Sequence, residues 1–233
     1  MNSFNRFYDS WLDQLQHLVH HLNSAPKPPT TGDDQGHLGN LVRKVMSHYA
    51  EYYRVKSVAA QRDVLGVMAA PWASSLERSL HWIAGWRPTT VFHLIYTESS
   101  IMFESHILDI LRGHQNGDLG DLSPSQFRPD SLCHRRVSEL QCETVDKENA
   151  LTEEMLEWQD GVSEFIGVCG DLDEMIGRLA CIVQKADDLR LRTVKSVVGL
   201  LTPQQAGEFF TAAAELQFGV RLWGLNHDRQ TRN

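Results

Sequence analysis

The strongest constraint in this chain is a spacing. Phe4, Phe7, Tyr8, Trp11, Leu12, Leu15, Leu18, Val19 and Leu22 recur at steps of three and four residues. Such steps put side chains on one face of a helix and leave Asp9, Asp13, Gln14 and Gln16 to water. A second stripe follows in Leu38, Leu41, Val42, Val45, Met46, Tyr49, Tyr52 and Tyr53. Alternating runs of strand type and repeats of 20–50 residues are absent from the sequence. With 233 residues, 42% of them hydrophobic, the chain is long enough to bury a core without disulfides or metal. The reading is an all-α, single-domain bundle of about seven helices, several of them long, over 4–23, 38–65, 75–85, 88–112, 124–167, 171–199 and 203–223. One domain is expected over 1–233, with a core at about 4–224, a flexible loop at about 24–37 and a short tail at 225–233.

Helix boundaries carry their own signals. Ser74 and Glu77 fit a capping box, in which each side chain meets the other residue's backbone N–H. Ser123-Pro124-Ser125-Gln126 and Thr202-Pro203-Gln204-Gln205 place proline at a first helical position. Arg87-Pro88 predicts a break, because the residue before proline avoids the α region. Pro129 and Gly161 are candidate kinks in the fifth helix, and Gly224 reads as the C-terminal cap of the last.

Charge and composition exclude several classes. The formal charge is −8, which opposes bulk attraction to nucleic acid or an anionic membrane. Between Glu139 and Glu174, twelve acidic residues face Lys147 alone, a local net of −11. That stretch reads as a solvated helix face, with a docking surface for a basic partner as the alternative. Arg178, Lys185, Arg190, Arg192 and Lys195 are diluted by Asp187 and Asp188 and make no nucleic-acid footprint. No apolar run approaches ~18 residues, so no membrane span is expected. The N-terminus lacks the basic start and apolar stretch of a secretory signal, and Cys133, Cys142, Cys169 and Cys181 read as reduced thiols. The expected compartment is the nucleus, the cytoplasm or both.

No catalytic apparatus is visible. Phosphate-binding glycine loops, H-E-x-x-H and G-x-S-x-G are absent from the sequence. Cys133 and His134 are adjacent, and helical neighbours diverge by ~100°, so they make a poor nucleophile–base pair. His17, His20 and His21 stand one helical turn apart, but no nearby carboxylate or thiolate completes a metal shell. The expectation is no catalytic residue, no cofactor and no metal. Trp82, Trp86, Phe92, Tyr96 and Phe103 read as core, with a small apolar ligand pocket among them as the alternative.

Four stretches together carry a resemblance. They are Leu80-His81-Trp82-Ile83-Ala84-Gly85-Trp86-Arg87-Pro88-Thr89-Thr90; Phe7-Tyr8-Asp9-Ser10-Trp11-Leu12; Gln184-Lys185-Ala186-Asp187-Asp188-Leu189-Arg190 with Thr193; and Leu201-Thr202-Pro203-Gln204-Gln205-Ala206 with Trp223. They resemble the signatures of the plant Delay of Germination (DOG) domain family, a domain that also forms the C-terminal part of TGA-type bZIP transcription factors. The signature positions are Trp82, Gly85, Arg87, Pro88, Asp187, Leu189, Arg190, Pro203 and Trp223.

The resemblance implies an all-helical plant regulator without enzymatic activity, linked to seed dormancy and abscisic acid signalling. It implies a protein partner, with a type 2C protein phosphatase or a bZIP factor as candidates, and leaves a homo-oligomer open. Carried onto this chain, the phosphatase interface falls on Tyr8, Asp9, Ser10 and Trp11 of the first helix. Tyr8 and Trp11 also suit core packing, so Asp9 and Ser10 are the better contact candidates. One alternative is a transcription regulator that reaches DNA only with a bZIP partner, since the first 40 residues hold only Arg6 and Lys27 as bases. Another is a small-ligand or haem sensor. The family's haem-linked histidines fall here on Gln217 and Arg221, which offer iron no imidazole, so haem is not expected by that route.

Overall fold

The computed structural model describes residues 2–26, 29, 31–96, 131–165 and 172–231, and every regular element among them is a helix. In chain order these are α1 (Asn2–Ser24), α2 (Gly32–Arg62), α3 (Val64–Ala69), α4 (Ser75–Ser79), α5 (90–96, as far as it is described), α6 (Ser131–Phe165), α7 (Leu172–Leu200) and α8 (Pro203–Gln230). The long α2 sits at the centre, packed by α1, α7 and α8, while α6 lies along α7 and α4 along α8. The two apolar stripes meet there. Leu15 and Leu22 from α1, Leu38 and Val45 from α2, Val183 and Val197 from α7 and Ala214 from α8 lose all contact with solvent. Each large aliphatic side chain so buried contributes about 1.5–3 kcal/mol.

Helix ends follow the side chains able to satisfy orphan N–H groups. The capping boxes at Ser74/Glu77 and Thr202/Gln205 form, with Pro203 in the first turn of α8. A further box, missed in the sequence, starts α2 early: Thr31 Oγ1 accepts from Asp34 N at 3.1 Å and Thr31 N donates to Asp34 Oδ2 at 3.0 Å. The expected loop at 24–37 is therefore shorter, because α1 runs to Ser24 and α2 begins at Gly32. The second helix also ends sooner than expected. Asp63 closes α2 and caps α3 by accepting from Gly66 N at 2.8 Å.

Three other boundaries are corrected. The predicted helix 75–85 stops at Ser79 because Ile83 and Ala84 take positive φ. Gly224 does not end α8, and the expected tail from 225 is helical to Gln230. Gly224 instead allows close approach to α4, since a Cβ there would stand 2.7 Å from Ser74 Cβ. Asp228, one turn on, accepts from Ser75 N at 3.0 Å. Gly161 does not divide α6, which continues to Phe165. The predicted starts at Ser123-Pro124 and the kink at Pro129 lie outside the described residues, as does the predicted helix beyond 96.

Candidate functional site

Residues 82–85 form a tight turn. Trp82 N donates to Gly85 O at 2.6 Å and Gly85 N donates back to Trp82 O at 3.3 Å. Its two central residues, Ile83 and Ala84, have φ of 44° and 58°. Such φ values are uncommon for residues with a Cβ, and a β-branched residue there is an outlier costing about 1–3 kcal/mol.

Two buried cations from distant helices hold this turn. Arg190 of α7 donates through Nε to Trp86 O at 2.7 Å and through Nη2 to Ile83 O at 2.9 Å and to Trp82 O. Lys56 of α2 donates to Ala84 O at 2.7 Å. Asp187 accepts from both, at 2.6 Å from Arg190 Nη1 and 2.9 Å from Lys56 Nζ. Burial pushes the Lys56 ammonium down to about 8, with Asp187 opposing the shift and Arg190 adding to it. The Trp82 ring takes the Arg190 guanidinium at 5.3 Å and that of Arg87 at 5.8 Å, in cation–π reach. Below the turn, Glu148 of α6 is buried and accepts from Thr89 N at 2.6 Å, with Arg87 Nε at 3.6 Å. Leu189 belongs to the same buried face of α7. Trp82, Gly85, Arg87, Asp187 and Arg190 thus converge on one braced turn. Trp223 does not join them; it is 70% exposed on α8.

The braced turn forms one wall of a partly open apolar cavity of about 370 Å³, lined on its other sides mainly by α1, α2, α4 and α8. Rings from Trp11, Tyr49, Tyr52, Trp72, Trp86 and Phe210 line it, with Glu77, His81 and Gln217 among its polar groups. Trp11 donates to His48 O at 3.0 Å, Trp86 to the Tyr53 hydroxyl at 2.9 Å and Tyr8 to Glu77 Oε1 at 3.2 Å. Tyr49 and Tyr52 differ from these: neither hydroxyl has a hydrogen-bond partner among the described residues. Burial holds both phenols well above their ordinary range, so they stay neutral donors. His81 is pushed down to about 4, first by desolvation and then by the Lys56 and Arg190 charges. Of Trp82, Trp86, Phe92 and Tyr96, the described residues read as core or pocket between 82 and 103, only Trp86 lines this cavity. Phe92 is core, Tyr96 donates to Gln141 and Phe103 lies outside the described residues. The other rings come from α1, α2, α8 and, in Trp72, the α3–α4 connection, whose convergence no single stretch of sequence signals.

On the first helix, Tyr8 and Trp11 are 5% and 3% exposed, so they belong to the core. Asp9 and Ser10 are exposed. Asp9 Oδ1 lies 3.2 Å from Arg221 Nη2, and Arg221 also reaches Trp72 O at 3.0 Å and stands over the Tyr8 ring at 5.1 Å. Asp9, Leu12, Asp13, Gln16, Phe218 and Arg221 border a shallow groove between α1 and α8. Of the two positions matching haem-linked histidines, Gln217 lines the cavity and Arg221 serves this α1–α8 contact. His17, His20 and His21 are exposed, and no group of three metal-ligating side chains occurs among the described residues. Glu139, Glu143, Asp146, Glu153, Glu157 and Asp160 of α6 are exposed as expected, while Glu148 is buried and Glu154 is partly covered by Lys185 at 2.7 Å; Asp171 and Cys169 lie outside the described residues.

Comparison with known proteins shows what the chain is similar to. Residues 14–97, from within α1 to the described end of α5, match the family model DOG1, "Seed dormancy control". The chain is 28% identical to Protein DOG1-like 4 of Arabidopsis thaliana over 221 residues, which cover 95% of this chain and 91% of that one. It is 26% identical to Transcription factor TGA6 of Arabidopsis thaliana over 225 residues, covering 95% of this chain but 64% of the factor. The wheat (Triticum aestivum) transcription factor HBP-1b(c38) matches with the same identity and coverage. The described fold is all-helical, and the relatives it resembles are plant proteins, transcription factors among them. More particularly, it is similar over about 95% of its length both to a DOG1-like protein and to TGA-type factors.

Proposed function

We propose that the chain is a non-enzymatic regulator of plant cells that works by binding another protein through α1, in the nucleus, the cytoplasm or both. The proposed setting is seed dormancy and abscisic acid signalling, and the proposed partner is a type 2C protein phosphatase, with a bZIP factor as the other candidate. The observation that carries this reading is the division of labour along Tyr8-Asp9-Ser10-Trp11. Tyr8 and Trp11 anchor the helix in the core, while Asp9 and Ser10 stand on the surface beside the α1–α8 groove. Polar side chains held on a rigid helix are suited to recognition. Affinity purification from seed tissue tests it. The wild-type chain should recover a phosphatase or bZIP protein, and Asp9→Ala/Ser10→Ala should recover less of it; equal recovery would remove the α1 interface.

A second reading, a small-ligand sensor, is favoured by the aromatic cavity. Its volume falls within the ~300–1,000 Å³ usual for ligand pockets, and its wall is the braced turn. Occupancy there would be felt directly by residues 80–87 and by α8.

A further inference from the structure

We propose that the cavity binds a neutral, ring-bearing small molecule that presents a hydrogen-bond acceptor to Tyr49 and Tyr52. This rests on the small-ligand reading above and adds the chemical class.

Size comes first. A volume of about 370 Å³, at the ~30 Å³ that a water molecule occupies in the liquid, holds roughly a dozen heavy atoms. The lining comes second. Aromatic rings from α1, α2, α8 and the braced turn surround that space, and ring–ring contacts favour offset or edge-on planar partners.

Polar groups decide the rest. The Tyr8, Tyr53, Trp11 and Trp86 donors or acceptors are already engaged within the protein. The Tyr49 and Tyr52 hydroxyls, by contrast, have no partner among the described residues, although both side chains line the cavity. Neither oxygen is among the sealed, unpartnered polar atoms of the described residues, so both are open to the cavity, where an acceptor on a bound molecule would meet them.

Charge excludes an anion. Arg190 and Lys56 are committed to the turn carbonyls and Asp187. Arg221 is committed to Trp72 O and Asp9, and the half-exposed Arg87 to Glu148 and the Trp82 ring. A carboxylate entering the cavity would meet Glu77, and the lining guanidinium of Arg87 already faces the Glu148 carboxylate and the Trp82 ring. A cation would have to compete with Arg221 and the Ser74 N–H for the Glu77 carboxylate.

Calorimetric titration of the full chain with three probes tests this. Coumarin is planar and neutral with a carbonyl acceptor, naphthalene has the same shape without one, and dodecanoate is an apolar chain with a carboxylate. Coumarin should bind at least ten-fold more tightly than either of the others. In Tyr49→Phe/Tyr52→Phe, which keeps the rings, the gap between coumarin and naphthalene should close to within about two-fold. Filling the cavity with Ala213→Phe, or with Val220→Phe if the first variant melts early, should weaken coumarin at least ten-fold. Naphthalene or dodecanoate matching coumarin, or an unchanged gap in the double Phe variant, would overturn the chemical class while leaving a ligand pocket. No binding by any probe, or binding indifferent to both cavity-filling variants, would overturn the class and the small-ligand reading together.

Discussion

Gly85 lies against the guanidinium of Arg190, so closely that a Cβ at position 85 would stand 3.0 Å from Arg190 Cζ. Arg190 is fully buried and held by Trp82, Ile83, Trp86 and Asp187, so it has no room to retreat. Gly85→Ala should therefore lower stability by about 1–3 kcal/mol, and Gly85→Val by more. Urea titration with an unchanged m-value checks this; a neutral Gly85→Ala would show that the brace is looser than described.

Asp187 compensates two buried cations at once. Asp187→Asn should cost about 3–5 kcal/mol, because it leaves Lys56 and Arg190 facing each other without a counter-charge. Adding Lys56→Met should recover part of that loss. A double-mutant cycle measures the coupling, and simple additivity would contradict the network.

Stability should vary with pH in three windows. The folded His81 is held near 4 against an ordinary value of 6.5. Between those values the unfolded chain binds more protons, so stability is full above pH 6.5 and falls as the solution is acidified toward 4. His81→Asn should flatten that limb. Lys56 is held near 8 against 10.5, so here too the unfolded chain binds more protons, and stability should rise from pH 8 toward 10.5. Lys56→Met should remove that rise. Tyr49, Tyr52 and Tyr53 are raised by burial, so their contribution is lost once pH exceeds the ordinary phenol value of 10. Thermal melts across pH 4–11 read all three effects.

Two glycines of α8 should respond with opposite signs. Gly219 has open space around it, so Gly219→Ala should stabilise by about 0.5–1 kcal/mol through helix propensity alone. Gly224→Ala should destabilise, since the new methyl would overlap Ser74 and force α4 away from α8. Melting temperatures of the two variants, measured side by side, decide whether α4 packs as described.

The helical class was legible because burial follows the apolar period: Phe4, Tyr8, Trp11, Leu15, Val19 and Leu22 all lie inside. The Ser74/Glu77 box was legible because its chemistry is local, whereas the Thr31/Asp34 box was hidden inside a Pro- and Gly-rich stretch that reads as a loop. The brace was not. Lys56 and Asp187 are 131 residues apart in the chain, and a lysine or a glutamate such as Glu148 reads as solvated until its partner is known. The turn was hidden for a different reason: positive φ falls on Ile83 and Ala84, whereas Gly85, the residue that would signal it, is needed for the Arg190 approach. Gly224 misled in the converse way, since a glycine that admits a neighbouring helix looks the same as one that ends a helix.

The interface on α1 is the central functional claim, and its most direct measurement is the affinity of the purified full chain for a type 2C phosphatase. Asp9→Ala/Ser10→Ala removes an exposed ion pair of small value, about 0–1 kcal/mol, so the variant should melt close to wild type. It should bind the phosphatase about ten-fold more weakly. Equal affinity in wild type and variant, with both folded, would contradict the account.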